Sequence, residues 1–295
     1  MRLKEHLSRA LIAGGLALLA LAVGLWIGQK AQQMRAEETQ REAGELYYGD
    51  AGLIDWLLPS ACAEEMEETP EIQQDFLKLY EANADVVGWL RAGENIDDPV
   101  VQRDNEYYLE HSFYGKSDSN GALFLNGNNT LFPRDDVLLI HGHNMRSGAM
   151  FGKLTRFRDY SYMAEHPLVM FRTIYDSEEV YYTPVFAFDA SMQKGNSDYF
   201  DITSMRFEDD PMQEGEVERT ERRNAEFQQY LDALSERSVW QAATDVTVED
   251  KLLMLVTCSY FQEDGRFVLV CRALRENETP EQISELYQAA LEEQN

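Results

Sequence analysis

Between residues 86 and 273 the chain repeats one pattern, short apolar runs separated by turn residues. The runs are Val86 to Leu90, Pro99 to Val101, Ala122 to Leu125, Val137 to Ile140, Leu168 to Ile174, Val180 to Phe188, Leu252 to Thr257 and Phe267 to Ala273. They are too apolar to stand as open sheet edges, because an exposed apolar edge is a template for pairing with another chain. A closed or nearly closed β-barrel protects them, so the expected fold class is mainly β. Helical stripes accompany the runs. Ile72 to Ala82 puts Phe76, Leu77 and Tyr80 on one face ahead of the first run. Glu218 to Arg237 carries Phe227, Tyr230, Leu231 and Leu234 at i, i+3, i+4 and i+7. A last helix starts at Pro280 and continues through Ile283, Leu286, Tyr287 and Leu291. The last two stripes are read as core packing.

The N-terminus sets where such a domain works. Arg2, Lys4 and Arg9 precede an uncharged stretch, Ala10 to Gly28. Its roughly 19 residues at about 1.5 Å rise match the ~30 Å hydrocarbon core of a bilayer. The basic flank is expected in the cytoplasm and the rest of the chain outside the cell membrane, as a single-pass protein. A cleaved signal peptide is the rival reading, but the apolar run exceeds the usual length of about 7 to 15 residues. Gly28-Gln29-Lys30-Ala31-Gln32 is also a poor cleavage site. Asp and Glu number 53 against 26 Lys and Arg, a formal net charge of −27. Such an excess argues against nucleic acid or an anionic lipid surface as the main partner, so the anchor rather than charge holds the protein to the membrane. The expected division is a cytoplasmic tail at 1–9, a transmembrane anchor at 10–28, an acidic spacer at 29–71, a single catalytic domain at 72–277 and a C-terminal helix at 278–295. The spacer is rich in Glu, Ala and Gln, the composition of a helical or partly disordered segment. Its apolar patch, Ile54-Asp55-Trp56-Leu57-Leu58, is a candidate for docking on the domain.

Cysteines are sparse, and three of them outside the cell cannot all pair within the chain. Cys62 lies in the spacer and is read as inert. Cys271 sits within an apolar alternation and is read as a small core hydrophobe. Cys258 differs because it ends an apolar run and is followed by a polar turn, with Arg266 at the start of the next run. A short hairpin brings that guanidinium back beside the thiol. Of the five histidines, His6, His111 and His166 have no identifiable partner, whereas His141 and His143 flank Gly142 at the end of the run Val137 to Ile140. Two histidines at i and i+2 are potential metal ligands, but a third ligand and an HExxH motif are missing, so neither a metal nor a cofactor is expected. Gly142 is expected to let the backbone turn sharply and present His143 to a site. A cysteine, a histidine and an arginine at strand ends are the parts needed for acyl transfer through a thioester.

These residues carry a family resemblance. The sequence resembles the sortases, membrane-anchored cysteine transpeptidases of Gram-positive bacteria, and within them class B. The similarity runs from about Ile72 to Leu274 through Asn83-Ala84-Asp85-Val86-Val87-Gly88-Trp89-Leu90, Pro99-Val100-Val101-Gln102, Asn105-Glu106-Tyr107-Tyr108-Leu109 and Gly121-Ala122-Leu123-Phe124-Leu125. Its most specific pieces are Gly142-His143-Asn144-Met145, Met150-Phe151-Gly152-Lys153-Leu154, and Leu255-Val256-Thr257-Cys258 with Arg266. The helix at Glu218 to Arg237 resembles the extra helix that class B carries before its cysteine strand. The resemblance implies a sortase-like barrel in which Cys258 is the nucleophile, His143 the acid/base residue and Arg266 the oxyanion or substrate-positioning residue, with Thr257, Asn144 and His141 at the substrate. It implies an acyl donor that is a surface protein with a C-terminal sorting signal cut after threonine, and an acceptor that is a cell wall precursor amine or a pilin lysine. Two positions depart from the pattern. His141 stands where a tyrosine is frequent, and Met254 and Val256 replace the usual residues ahead of Thr257-Cys258. A Cys/His hydrolase releasing the acyl group to water, and an adhesin in which Cys258 merely packs, are the other readings of the same residues.

Overall fold

The apolar runs become strands β1 (Val86–Ala92), β2 (Ile96–Val101), β3 (Leu123–Leu125), β4 (Val137–His141), β5 (Val169–Thr173), β6 (Tyr181–Ser191), β7 (Leu252–Ser259) and β8 (Gly265–Ala273). The structure, a computed structural model, describes residues 2–49, 70–202, 216–259 and 264–293, with side chains described from residue 18 onward apart from 19, 20 and 216. The strands close into a barrel in the order β1-β2-β3-β4-β7-β8-β6-β5. β2 pairs with β3 and β4 with β7 in parallel, and the other neighbours are antiparallel.

Both faces of the central strands are buried, which explains runs that are continuously apolar rather than alternating. Leu253, Leu255, Leu269 and Cys271 fill the barrel interior with Leu138 and Ile140. Met254, Val256, Val268 and Val270 point outward, and helix α4 (Glu216–Arg237) lays Phe227, Tyr230, Leu231 and Leu234 over them. The C-terminal helix α5 (Pro280–Glu293) adds Ile283 and Tyr287 to the interior cluster, the Tyr287 hydroxyl donating to the Pro184 carbonyl at 2.8 Å. A 3-10 helix, Leu154–Arg158, and the short α3 (Tyr160–Glu165) also add Leu154, Phe157 and Met163 to it. Neither is visible as a periodic stripe, because each is too short to repeat one.

The N-terminal helix α1 runs from Arg2 to Tyr48. Its last turns pack on the barrel. Ala36 and Ala43 are buried, and Tyr47 stacks on Trp89 with ring centroids 4.5 Å apart and planes at 2°. Gln40 Nε2 donates to the Asp97 carbonyl at 3.0 Å, and the Tyr48 hydroxyl to Asp97 Oδ1 at 2.9 Å. The docking stripe is built largely on alanines, whose weak apolar signal is masked by the surrounding glutamates. After it come a 3-10 turn, Gln74–Phe76, and α2 (Leu77–Ala82), which bury Phe76 and Leu79. Among the described residues no helix is long and apolar enough to cross a membrane. Most side chains of the 10–28 segment lie outside the described residues, as do the Ile54 to Leu58 patch and Cys62.

Candidate active site

The register of β7 against β8 sets Cys258 directly opposite Arg266. Opposed residues of an antiparallel pair project from the same face with Cβ atoms about 5 Å apart. That face is the outer one, shared with Met254, Val256, Val268 and Val270. Cys258 lies one step beyond Val256, where the apolar cover of α4 ends, and its side chain is half-buried.

The histidine arrives from β4, which runs parallel to β7 with His141 beside Val256. Gly142 N donates to the Val256 carbonyl at 3.2 Å and the Thr257 hydroxyl to the Gly142 carbonyl at 2.8 Å. Asn144 Nδ2 then donates to the Cys258 carbonyl at 2.8 Å. These bonds carry the chain past the end of β4 and across to the thiol. His143 Nε2 donates to the Leu109 carbonyl at 2.7 Å. That leaves Nδ1 for the interaction with Cys258 that shifts the pKa of both groups. Gly121 has φ +65°, and a Cβ there would come within 2.5 Å of the Tyr108 carbonyl oxygen and 3.2 Å of His143 Cδ2, so only glycine lets this loop close over the ring. Gly142 has a different reason from the sharp turn expected. Its Cβ would meet Leu123 Cδ2 at 2.5 Å and the Phe151 ring at 2.8 Å, and close packing is what requires glycine.

Charge follows from this geometry. The Cys258 thiol is held below its ordinary pKa by the hydrogen bond to His143 and then by the Arg266 charge, against the opposing effect of burial. His143 is held above its ordinary value, first by the bond to Cys258 and also by the Leu109 carbonyl and the charges of Cys258 and Glu110. His141 goes the other way. Burial and the Arg266 charge push it down to about 4, so its ring is neutral at pH 7. Asn126 Oδ1 accepts from Asn128 N at 3.0 Å, so its Nδ2 faces His141 Nε2 at 3.2 Å, and the imidazole stacks on Phe124. The pKa values of two histidines two residues apart are thus pushed in opposite directions, the separation that divides roles between titratable groups.

A pH profile tests the coupling. Alkylation of Cys258 by iodoacetamide follows its thiolate fraction, so a depressed pKa moves the rise in rate to lower pH than the ordinary thiol midpoint near 8.5. His143→Ala removes the largest cause of the depression and is expected to move that rise upward. A profile indifferent to the substitution breaks the link between the two side chains.

The structure thus brings Cys258, His143, Arg266, Asn144 and His141 to one end of the β4–β7–β8 face. Thr257 is there in sequence but turned inward, 1% exposed, and its hydroxyl braces β7 against Gly142 instead of opening toward a substrate. Cys271 projects from the opposite face, into the interior, and pairs with Leu253 rather than approaching Cys258. Burial pushes its thiol pKa up. Leu109 and Asn126 contact the two histidines, His143 and His141, and the sequence does not announce either. Leu109 acts through its carbonyl, which no side-chain type signals, although it closes the Asn105 to Leu109 motif.

No family model matches the chain. Sortase B of Listeria monocytogenes is 29% identical over 203 residues, 68% of this chain and 74% of that one. The structure of sortase B from B. anthracis matches with a TM-score of 0.62 at 22% identity, covering 83% of this chain and 99% of that one. A Staphylococcus aureus sortase B–substrate complex matches with a TM-score of 0.58 at 18% identity, covering 85% and 98%. The closed barrel is thus the fold of these sortase B structures. Sequence relatives and structural neighbours together support a class B sortase, a cysteine transpeptidase.

Proposed function

We propose that Cys258, His143 and Arg266 perform transpeptidation on the C-terminal sorting signal of surface proteins and pass the acyl group to an amine of the cell wall precursor. The register that sets Arg266 opposite Cys258, with His143 coupled to the same thiol, carries this reading. The Cys258 thiolate attacks the scissile carbonyl, and the Arg266 guanidinium stabilises the oxyanion. The His143 imidazolium gives its Nδ1 proton to the leaving amine, and the C–N bond breaks to leave a thioester. Neutral His143 then takes a proton from the incoming amine, whose nitrogen forms the new amide bond while the Cys258 thiolate leaves. Asn144 holds the Cys258 carbonyl, and His141, kept neutral, offers an uncharged wall to the substrate.

Transfer requires the domain to stand at the outer membrane surface. The uncharged segment 10–28 supports a single-pass anchor, as do the exposed apolar side chains Leu21, Val23, Leu25, Trp26 and Ile27 on α1. α1 then links the anchor to the barrel through the Tyr47–Trp89 stack. A pilin lysine is the alternative acceptor, and release to water the alternative reaction. Incubating the protein with a library of sorting peptides, with and without an added amine, and weighing the products separates them. A peptide–amine adduct is expected to dominate when amine is present. Hydrolysed acid alone under both conditions identifies a hydrolase.

A further inference from the structure

Directly behind the Cys258–Arg266 pair, on the inner face of the barrel, lies a polar cluster that takes no part in the chemistry described so far. Ser259 follows Cys258, points inward and is 4% exposed. Its hydroxyl donates to Asp189 Oδ1 at 2.6 Å. Asp189 lies on β6 opposite Phe267 of β8, and it accepts from Arg158 Nε at 2.9 Å and Arg158 Nη2 at 2.5 Å. Arg158 ends the 3-10 helix Leu154–Arg158, and its guanidinium lies 4.7 Å from the centroid of the Phe267 ring. One ion pair therefore grips the residue after Cys258 and the residue after Arg266 at once.

The position of this grip matters. Ser259 pairs with Gly265 at the very end of the β7–β8 ladder, one step beyond Cys258 and Arg266. Gly265 has no side chain to pack, and terminal ladder positions open most readily. The bidentate Arg158–Asp189 pair is a geometrically specific anchor, and a carboxylate so held still accepts from a hydroxyl. We propose that Arg158, Asp189 and Ser259 are positioning residues that hold the ends of β7 and β8 so that Cys258 and Arg266 stay opposed. The proposal rests on the assignment of those two residues as nucleophile and oxyanion partner.

The test uses the full chain carrying Ser259→Ala, Ser259→Thr or Asp189→Asn, with peptide cleavage kinetics and the pH profile of Cys258 alkylation as readouts. Ser259→Ala is expected to lower kcat about tenfold with KM unchanged, since a displacement of about 1 Å at reacting groups is costly. It is also expected to move the alkylation profile to higher pH, because the thiol no longer sits squarely against His143 and Arg266. Ser259→Thr keeps the hydroxyl and is expected to restore both. Wild-type kcat and an unmoved profile in Ser259→Ala overturn the proposal. So does an equal loss in Ser259→Thr, which signals packing damage alone. Should Asp189→Asn fail to fold, the Ser259 pair still decides. A Cys258→Ala chain that turns over peptide sinks the catalytic assignment, whereas an inactive Cys258→Ala beside an unaffected Ser259→Ala sinks only the network.

Discussion

Cys258→Ala is expected to lower sorting-peptide cleavage by about 10⁴-fold or more, the order of loss when a covalent nucleophile is removed. No neighbouring group can take its place. Cys271 lies on the other side of the sheet with its thiol pKa pushed up by burial. The Thr257 hydroxyl is buried and donated to Gly142, and Ser259 faces inward onto Asp189. The substitution deletes a single half-buried sulfur, so unfolding free energy is expected to change by about 1 kcal/mol or less. It also removes the largest cause of the raised His143 pKa. The His143 ring protons, followed by NMR, are therefore expected to titrate at lower pH in Cys258→Ala than in the parent. Loss of cleavage with a shifted His143 and an unchanged unfolding curve is the signature of a lost nucleophile. Full turnover by the variant disproves the role.

The barrel was legible because each strand is apolar on both faces, which gave runs long enough to see even without alternation. Cys258, His143 and Arg266 were legible for a related reason: each stands where an apolar run meets polar residues, at a strand end. What the sequence hid depends on contacts between distant segments. The parallel pairing of β4 with β7 brings His143 to Cys258, and no local pattern encodes that neighbourhood. Thr257 read as a substrate group because it precedes the cysteine, yet strand alternation turns it inward. Asn144 read the same way, and its amide is engaged by the Cys258 carbonyl. The docking of α1 was hidden by small residues, since Ala36 and Ala43 contribute closeness rather than hydrophobic bulk. Asp189 and Arg158 lie far apart in sequence from each other and from Cys258, and only the closed sheet assembles them.

Arg266→Ala is expected to lower kcat by about 10²- to 10³-fold, the loss typical of removing one oxyanion donor. The fold is expected to survive, because the side chain is half-buried at the mouth of the hairpin and its Nη1 donates to the Gly265 carbonyl next to it rather than to a distant element. Arg266→Lys retains the charge without the planar fork and is expected to fall between the two. The same guanidinium lowers the Cys258 pKa and pushes His141 down, so its removal must move both upward. Alkylation then rises at higher pH than in the parent, and His141 titrates closer to its ordinary value near 6.5. These two shifts separate an electrostatic loss from unfolding, which would release every buried group together. Cleavage measured well above the raised thiol pKa isolates the remaining contribution. If kcat recovers fully there, Arg266 serves only to ionise Cys258. If a deficit of about 10²-fold persists with the thiol fully ionised, the guanidinium acts on the oxyanion itself. A rise in KM with kcat untouched instead reassigns Arg266 to holding the substrate.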